Sequence, residues 1–246
     1  MNSKRYLIVN ADDFGQSQGV NRGIIEAFEK GIVRSASMMV RWPFAVEAAA
    51  YARSHRELSV GLHVDLCEWE CREGTWSALY EVVDVDDPAA VEGEVFRQVD
   101  QFRDLMGADP THLDSHQHVH KSGPAFSIIA DVARRLNIPL RGSNDSIKYC
   151  GKFYGQSGDG CPYPEGISAE ALLDTIRSLP PGVTELGCHP GFPDDLISMY
   201  KAERAREVEV LCDPQIRAAI SGEGIELCSF RDVSAVLEAG RSAQVA

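Results

Sequence analysis

The chain has 246 residues, 44% hydrophobic and 25% charged, with a formal net charge of −13. That composition is ordinary for a globular protein with a full core. The acidic balance excludes nucleic acid or an anionic membrane surface as partner, because no basic stripe is present to neutralise phosphates.

Seven cysteines, Cys67, Cys71, Cys150, Cys161, Cys188, Cys212 and Cys228, are scattered without a CxxC pair. A zinc ribbon or thioredoxin-type site is therefore not indicated. The chain opens on a strand pattern with no apolar leader before it. No apolar run approaches the roughly 20 residues of a membrane span. The expectation is a reduced, cytoplasmic protein without a membrane span.

Tyr6 to Asn10 is a nearly continuous apolar run, as in a strand buried on both faces. It ends in Asp12 and Asp13, and Gly15 follows to let the chain turn. Val20 to Lys30 has helical spacing and stops at Lys30-Gly31. Ser35 to Val40 reads as a second strand, Phe44 to Arg53 as a second helix, and Leu58 to His63 as a third strand. Residues 64–88 read as a long irregular segment holding Trp69, Gly74, Trp76 and Tyr80. Val91 to Met106 is a helix, and Thr111 to Ser115 a short fourth strand running into a histidine cluster.

Pro124 to Leu136 is a helix and Ile138 to Arg141 a fifth strand. A second long loop covers 142–166. A helix from Ser168 to Leu179 and a sixth strand, Gly182 to Cys188, follow. Tyr200 to Ile220 is a charged helix with a break at Pro214, Ile225 to Cys228 a last strand, and Val233 to Ala239 a final helix. Strand and helix alternate about seven times, which predicts a parallel sheet with right-handed crossovers. With no Gly-rich phosphate fingerprint, the fold class expected is an α/β, (β/α) barrel, irregular or seven-stranded, in one domain over 1–246.

In such barrels the active site lies at the carboxyl ends of the strands. Asp12 and Asp13 end strand one, His63 and Asp65 strand three, Arg141 strand five, and His189 strand six. His112, Asp114, His116, His118 and His120 alternate with other residues after strand four, so an extended backbone would set all five on one face. Six of the seven histidines fall at these ends; His55 alone does not. A carboxylate with two imidazoles and positions open to water suits a catalytic divalent metal. A nearby carboxylate could take a proton from metal-bound water, and a histidine could protonate a departing group. Asp-Phe-Gly at 13–15 is no kinase metal motif, since no catalytic-loop HRD accompanies it. Cys188 beside His189 reads as a small buried apolar residue rather than a nucleophile.

Four ordered motifs then resemble a known family. They are Val-Asn-Ala-Asp-Asp-Phe-Gly, Gly-Leu-His, Thr-His-Leu-Asp-Ser-His-Gln-His-Val-His and Glu-Leu-Gly-Cys-His-Pro-Gly. Their order is similar to that of the YdjC/ChbG/HpnK-type carbohydrate deacetylases, from about residue 6 to residue 232. The resemblance implies a polysaccharide-deacetylase-like barrel, one divalent metal ion (Mg²⁺ or Zn²⁺) and removal of acetyl groups from N-acetylated sugars. It implies Asp13, His63 and His116 as metal ligands, Asp12 as general base and His189 as the histidine assisting the leaving amine. Asp114, His118 and Arg141 would line the same site or contact substrate. A homodimer is also implied.

Trp69, Trp76, Tyr154 and Phe192 are candidates for contact with a small acetylated sugar, against the plain reading that they cover the barrel rim. His112, further back on its strand, reads as a barrel-interior histidine. The alternatives are another metal-dependent amide or ester hydrolase on a barrel, or a non-catalytic sugar-binding relative. An amidohydrolase is disfavoured because its HxH pair follows strand one, whereas His116-Gln117-His118 follows strand four. No motif in 64–88 or 142–166 names the substrate.

Overall fold

The computed structural model describes residues 4–245. In chain order the elements are β1 (Arg5–Phe14), α1 (Gln18–Glu29), β2 (Ser35–Met38), α2 (Ala45–Ser54), β3 (Ser59–Val64), β4 (Cys67–Arg72), β5 (Thr75–Glu81), α3 (Pro88–Met106), β6 (Leu113–Ser115), α4 (Gly123–Leu136), β7 (Ile147–Cys150), α5 (Ala169–Arg177), β8 (Gly182–Cys188), α6 (Ala202–Leu211), α7 (Pro214–Gly222), β9 (Ile225–Cys228) and α8 (Val233–Val245).

Seven strands form one parallel, curled and open sheet in the order β6-β3-β2-β1-β8-β7, with β9 added on β1. One edge of β1 is divided along its length. Its first half pairs with β9 (Arg5↔Ile225 to Ile8↔Cys228) and its second half with β2 (Asn10↔Ser35 to Phe14↔Met38). The other edge pairs with β8 from Arg5↔Gly182 to Ala11↔Cys188. The α/β barrel with seven strands expected from the sequence is thus present as a half-barrel.

Alternation along β1 splits the core. Leu7, Val9 and Ala11 join the large cluster under the helices, while Tyr6 and Ile8 pack with Ile147, Val183, Cys228 and Phe230. The Tyr6–Ile8 face continues to Asn10 and Asp12, which hydrogen-bond to each other, so it turns from apolar to polar as the strand rises to the site.

Local chemistry sets the helix ends. Ser17 Oγ accepts from Val20 N at the start of α1, and Asp87 caps α3 ahead of Pro88. Gly107 ends α3 with φ +68. Among the described residues no helix is long and apolar enough to cross a membrane.

Three expectations change. Residues 64–88 are not irregular: β4 and β5 form an antiparallel hairpin turned at Glu73-Gly74, both at positive φ. The fifth strand at 138–141 shrinks to one bridge, Leu113↔Leu140, because the strand that pairs with β8 is β7, inside the supposed loop. The break expected at Pro214 in the 200–220 helix is present: α6 ends at Leu211, and Asp213 caps α7, which begins at Pro214. The histidine segment stays extended only to Ser115, after which His116–Lys121 winds into a 3₁₀ turn with Gln117 and His118 left-handed.

Candidate active site

Asp12 and Asp13 both reach the site because β1 is irregular there. The register runs Ala11↔Ala36 and then Phe14↔Met38, so β1 has one extra residue, and Asp13 sits at φ +70. This bulge re-aims the second acid. The turn at Gly15, expected to do so, comes too late in the chain. Both carboxylates are buried at the floor of a cavity of about 520 Å³.

Asp12 is gripped. Arg141 donates from Nη1 to Oδ2 at 2.6 Å and from Nη2 to Oδ1 at 2.7 Å. Asn10 Nδ2 donates to Oδ1 at 2.9 Å. Burial opposes its ionisation, but the Arg141 guanidinium outweighs it and holds the carboxyl below its usual range. Arg141 also reaches Asp114 Oδ2 at 2.7 Å and Glu185 Oε1 at 2.6 Å. It is buried and absent from the cavity wall, and its charged contacts are with Asp12, Asp114 and Glu185.

Asp13 divides its oxygens. Oδ2 accepts from Arg204 Nη2 at 2.6 Å. Oδ1 faces His63 Nε2 at 3.3 Å and His116 Nδ1 at 3.1 Å. These three residues each bring a donor atom within 4.8 Å of the others. Asp114 Oδ1 takes the other His63 nitrogen, Nδ1, at 2.7 Å, an arrangement that fixes the ring and turns Nε2 towards Asp13.

Burial alone would lower both histidines; instead Asp114 raises His63 to about 9, and Asp13 raises His116 well above the usual value. Two imidazoles pushed towards the cationic form around one carboxylate oxygen mark a place that demands positive charge. The donor set, two nitrogens and one oxygen at an open cavity, fits a divalent metal ion.

His189 lies above Asp12, with Nε2 3.6 Å from Oδ2 and Nδ1 without a partner. Burial pushes it down to about 4, so its ring is neutral near pH 7. Its loop is held by α6: the His189 N–H donates to Glu207 Oε2, and Arg204 Nη1 donates to the His189 carbonyl at 3.4 Å. Close passage of the loop over α1 requires Gly23, where a Cβ would stand 2.4 Å from Gly191 Cα.

The cavity wall is aromatic. Trp69, Trp76, Tyr149, Phe153, Tyr154 and Tyr200 line it, with His118, Lys121 and Gln156 as polar members. Tyr154 stacks on Tyr200 with centroids 4.7 Å apart and meets His189 edge-on at 5.3 Å. Trp76 is 48% exposed, free to meet a ligand face. Phe192 does not line the cavity: its ring lies 5.8 Å from the Arg22 guanidinium.

His112 is interior, stacked on Phe230 at 3.7 Å and pushed down to about 3 by burial. His120 is tied to Ser115 Oγ at 2.6 Å, away from the wall. The Cys188 thiol donates to the Asn10 carbonyl, and burial pushes it well above the usual thiol value, so no nucleophile is present there.

Sequence reasoning missed Arg204, Glu207 and Glu68. For the first two a signal existed: positions 204, 207, 208 and 211 fall on one helical face, so the acid and base share the register of Val208 and Leu211. Glu68 had no signal, because only the hairpin brings it over His116.

The polar floor of a parallel half-barrel, with an aspartate and two histidines at its centre, is the frame of a metal-assisted hydrolase. The chain belongs to the YdjC-like protein family, whose model matches residues 6–222. It is 32% identical to a carbohydrate deacetylase of Geobacillus stearothermophilus over 93% of this chain and 98% of that one. It is 35% identical to a chitooligosaccharide deacetylase of Klebsiella pneumoniae over 94% and 100%. A crystal structure from Enterococcus faecalis, provisionally described as a cellobiose-phosphate cleavage protein, superposes with TM-score 0.76 at 28% identity, covering 94% and 99%. A family 4 carbohydrate esterase from Streptomyces lividans shares the fold, with TM-score 0.51 at 13% identity over 92% and 91%.

Proposed function

We propose that this protein is a metal-dependent N-deacetylase that releases acetate from an N-acetylglucosamine-containing oligosaccharide or glycoconjugate. The observation that carries the reading is the meeting of Asp13, His63 and His116 beside a separate, arginine-held Asp12 on the cavity floor. The names of the two deacetylase relatives and the aromatic wall support an acetylated sugar.

A divalent ion held by Asp13, His63 and His116 would polarise the acetyl carbonyl and acidify a water. Asp12 is the base, and its atoms can be told apart. Oδ1 already accepts from Asn10 and Arg141, whereas Oδ2 accepts from Arg141 alone and keeps a lone pair. Oδ2 takes the proton as the water oxygen bonds to the acetyl carbon. His189 Nε2, neutral and 3.6 Å away, receives that proton and delivers it to the sugar nitrogen as the C–N bond breaks. The proton lost by water thus ends on the amine.

Trp69, Trp76, Tyr154, His118, Lys121 and Gln156 hold the sugar. Two imidazoles with a carboxylate suit zinc better than magnesium, which prefers an all-oxygen shell. The seven free cysteines accord with a reducing, cytoplasmic compartment.

The test is acetate release from a panel of N-acetylated mono- and oligosaccharides, using metal-stripped protein with Zn²⁺ or Mg²⁺ restored. Metal-dependent release from at least one sugar is expected. No release from any sugar with either ion would overturn the reading.

A further inference from the structure

The two metal-facing histidines differ in what supports them. His63 presents Nε2 to Asp13, and Asp114 holds its Nδ1 at 2.7 Å. His116 presents the opposite nitrogen, Nδ1, to Asp13. Its Nε2 is buried and has no hydrogen-bond partner. The nearest carboxylate is Glu68, whose Oε2 lies 3.7 Å away and is likewise buried and unpartnered. Glu68 itself is only 2% exposed. Two unsatisfied polar atoms facing each other in a buried wall are costly, and neither has another partner to turn to.

The hairpin is irregular beside Glu68. The register runs Glu68↔Tyr80 and then Trp69↔Ala78, leaving Leu79 over. Consecutive strand residues normally point to opposite faces, yet Glu68 and Trp69 both line the cavity. A second tie lies one residue along. Gln117, next to His116 and left-handed at φ +50, accepts from Trp69 N at 3.0 Å and donates to the Trp69 carbonyl at 2.9 Å. The hairpin is therefore fastened to the His116 turn through Gln117, with Glu68 poised over the ring.

Resting on the metal-site reading above, we propose that Glu68 is a positioning residue for His116. Its carboxylate accepts the His116 Nε2 proton when Nδ1 serves the metal, matching what Asp114 does for His63. Metal occupancy and the seating of the hairpin that carries Trp69 and Trp76 then reinforce each other. By reciprocity, whatever seats the hairpin tightens the metal, and metal seats the hairpin. The part of the wall that meets the sugar would be set by the ion that activates the reaction.

The test uses metal-stripped protein titrated with Zn²⁺ against a chromophoric chelator, with amide hydrogen exchange followed over residues 67–81. Losing an outer partner of a ligating histidine weakens metal binding by about 10–100-fold, which is the effect expected for Glu68→Ala. Glu68→Gln, whose amide oxygen still accepts the Nε2 proton, should stay close to wild type. Zinc should slow exchange across the hairpin in wild type and Glu68→Gln, and leave it unchanged in Glu68→Ala. Should Glu68→Ala fail to fold, Glu68→Met, nearer in volume, carries the same measurement.

Wild-type zinc affinity in Glu68→Ala would overturn the proposal. So would Glu68→Gln binding as weakly as Glu68→Ala, since that makes Glu68 a direct ligand. His63→Ala run in parallel separates the two levels. If it too binds zinc normally, the metal site itself is wrong; if it loses zinc while Glu68→Ala does not, only the role of Glu68 falls.

Discussion

The floor and the wall of the cavity are built on different terms. The floor is sheet: Asp12 and Asp13 rise from β1, His63 from β3 and Asp114 from β6, and Arg141 and Arg204 pair with the three acids. Asp12, Asp13 and Asp114 are each held by an arginine, and all three are buried. The wall is a hairpin and a loop, with aromatic faces, few fixed hydrogen bonds and residues as open as Trp76. In the proposed reaction the floor has to place protons and a cation to within a fraction of an ångström, which rigid elements do best. The wall holds a ligand by its faces and, Glu68 apart, its side chains can vary without disturbing the chemistry.

If that division holds, floor and wall substitutions should separate cleanly. Asp12→Asn keeps the shape and the Arg141 contact at Oδ1 but removes the base. Turnover should fall by about 10²–10⁴-fold with metal content unchanged by elemental analysis. Normal turnover would break the assignment of Asp12. Arg141→Met leaves Asp12, Asp114 and Glu185 buried without their shared cation, and should cost about 3–5 kcal/mol of stability in denaturant unfolding. A loss below about 1 kcal/mol, typical of an exposed pair, would show that the floor does not depend on it. Trp76→Ala should raise KM by up to about tenfold through lost stacking, with kcat and melting temperature unchanged. A fall in kcat with KM constant would move Trp76 from the wall into the chemistry.

The smallest effect is in pH. Burial pushes Glu185 up to about 7, against the opposing pull of Arg141. A carboxyl raised on folding favours the folded state while it is protonated. Its contribution is complete below the unfolded value near 4.5 and is lost as pH rises through about 7. The melting temperature of wild type relative to Glu185→Gln should therefore fall between pH 5 and pH 8. Parallel curves for the two proteins would mean that Glu185 does not titrate in that window.

The same division governs what the sequence discloses. Strand ends are legible because an apolar run that stops at an acid or histidine is a local pattern: Asp12, Asp13, His63, Asp114 and His189 were all placed by it. The fine geometry was not. Nothing local says that Asp13 goes left-handed in a bulge, or that the chain coils after Ser115 so that His116 and His118 do not share a face with His112. Both depend on partners far along the chain. The wall was hidden for another reason. Residues 67–81 carry a glycine turn but mix Trp, Glu, Cys and Arg without strict alternation, so the hairpin did not stand out. Arg204 and Glu207 were concealed by composition, since a charged helix invites the reading of a solvated surface.

The shared edge of β1 bears on how the chain is made. Its early partner, β2, begins at residue 35, but its other neighbours begin at residues 182 and 225. During synthesis, the first strand emerges with both its apolar faces formed and most of its ladder unmet for some 150 residues. Contacts of such separation are slow to form, and exposed strand edges in the meantime invite aggregation. The acid pair at the end of β1 is therefore translated first and finished last, and a nascent chain truncated before residue 182 should need a chaperone and hold no ordered site.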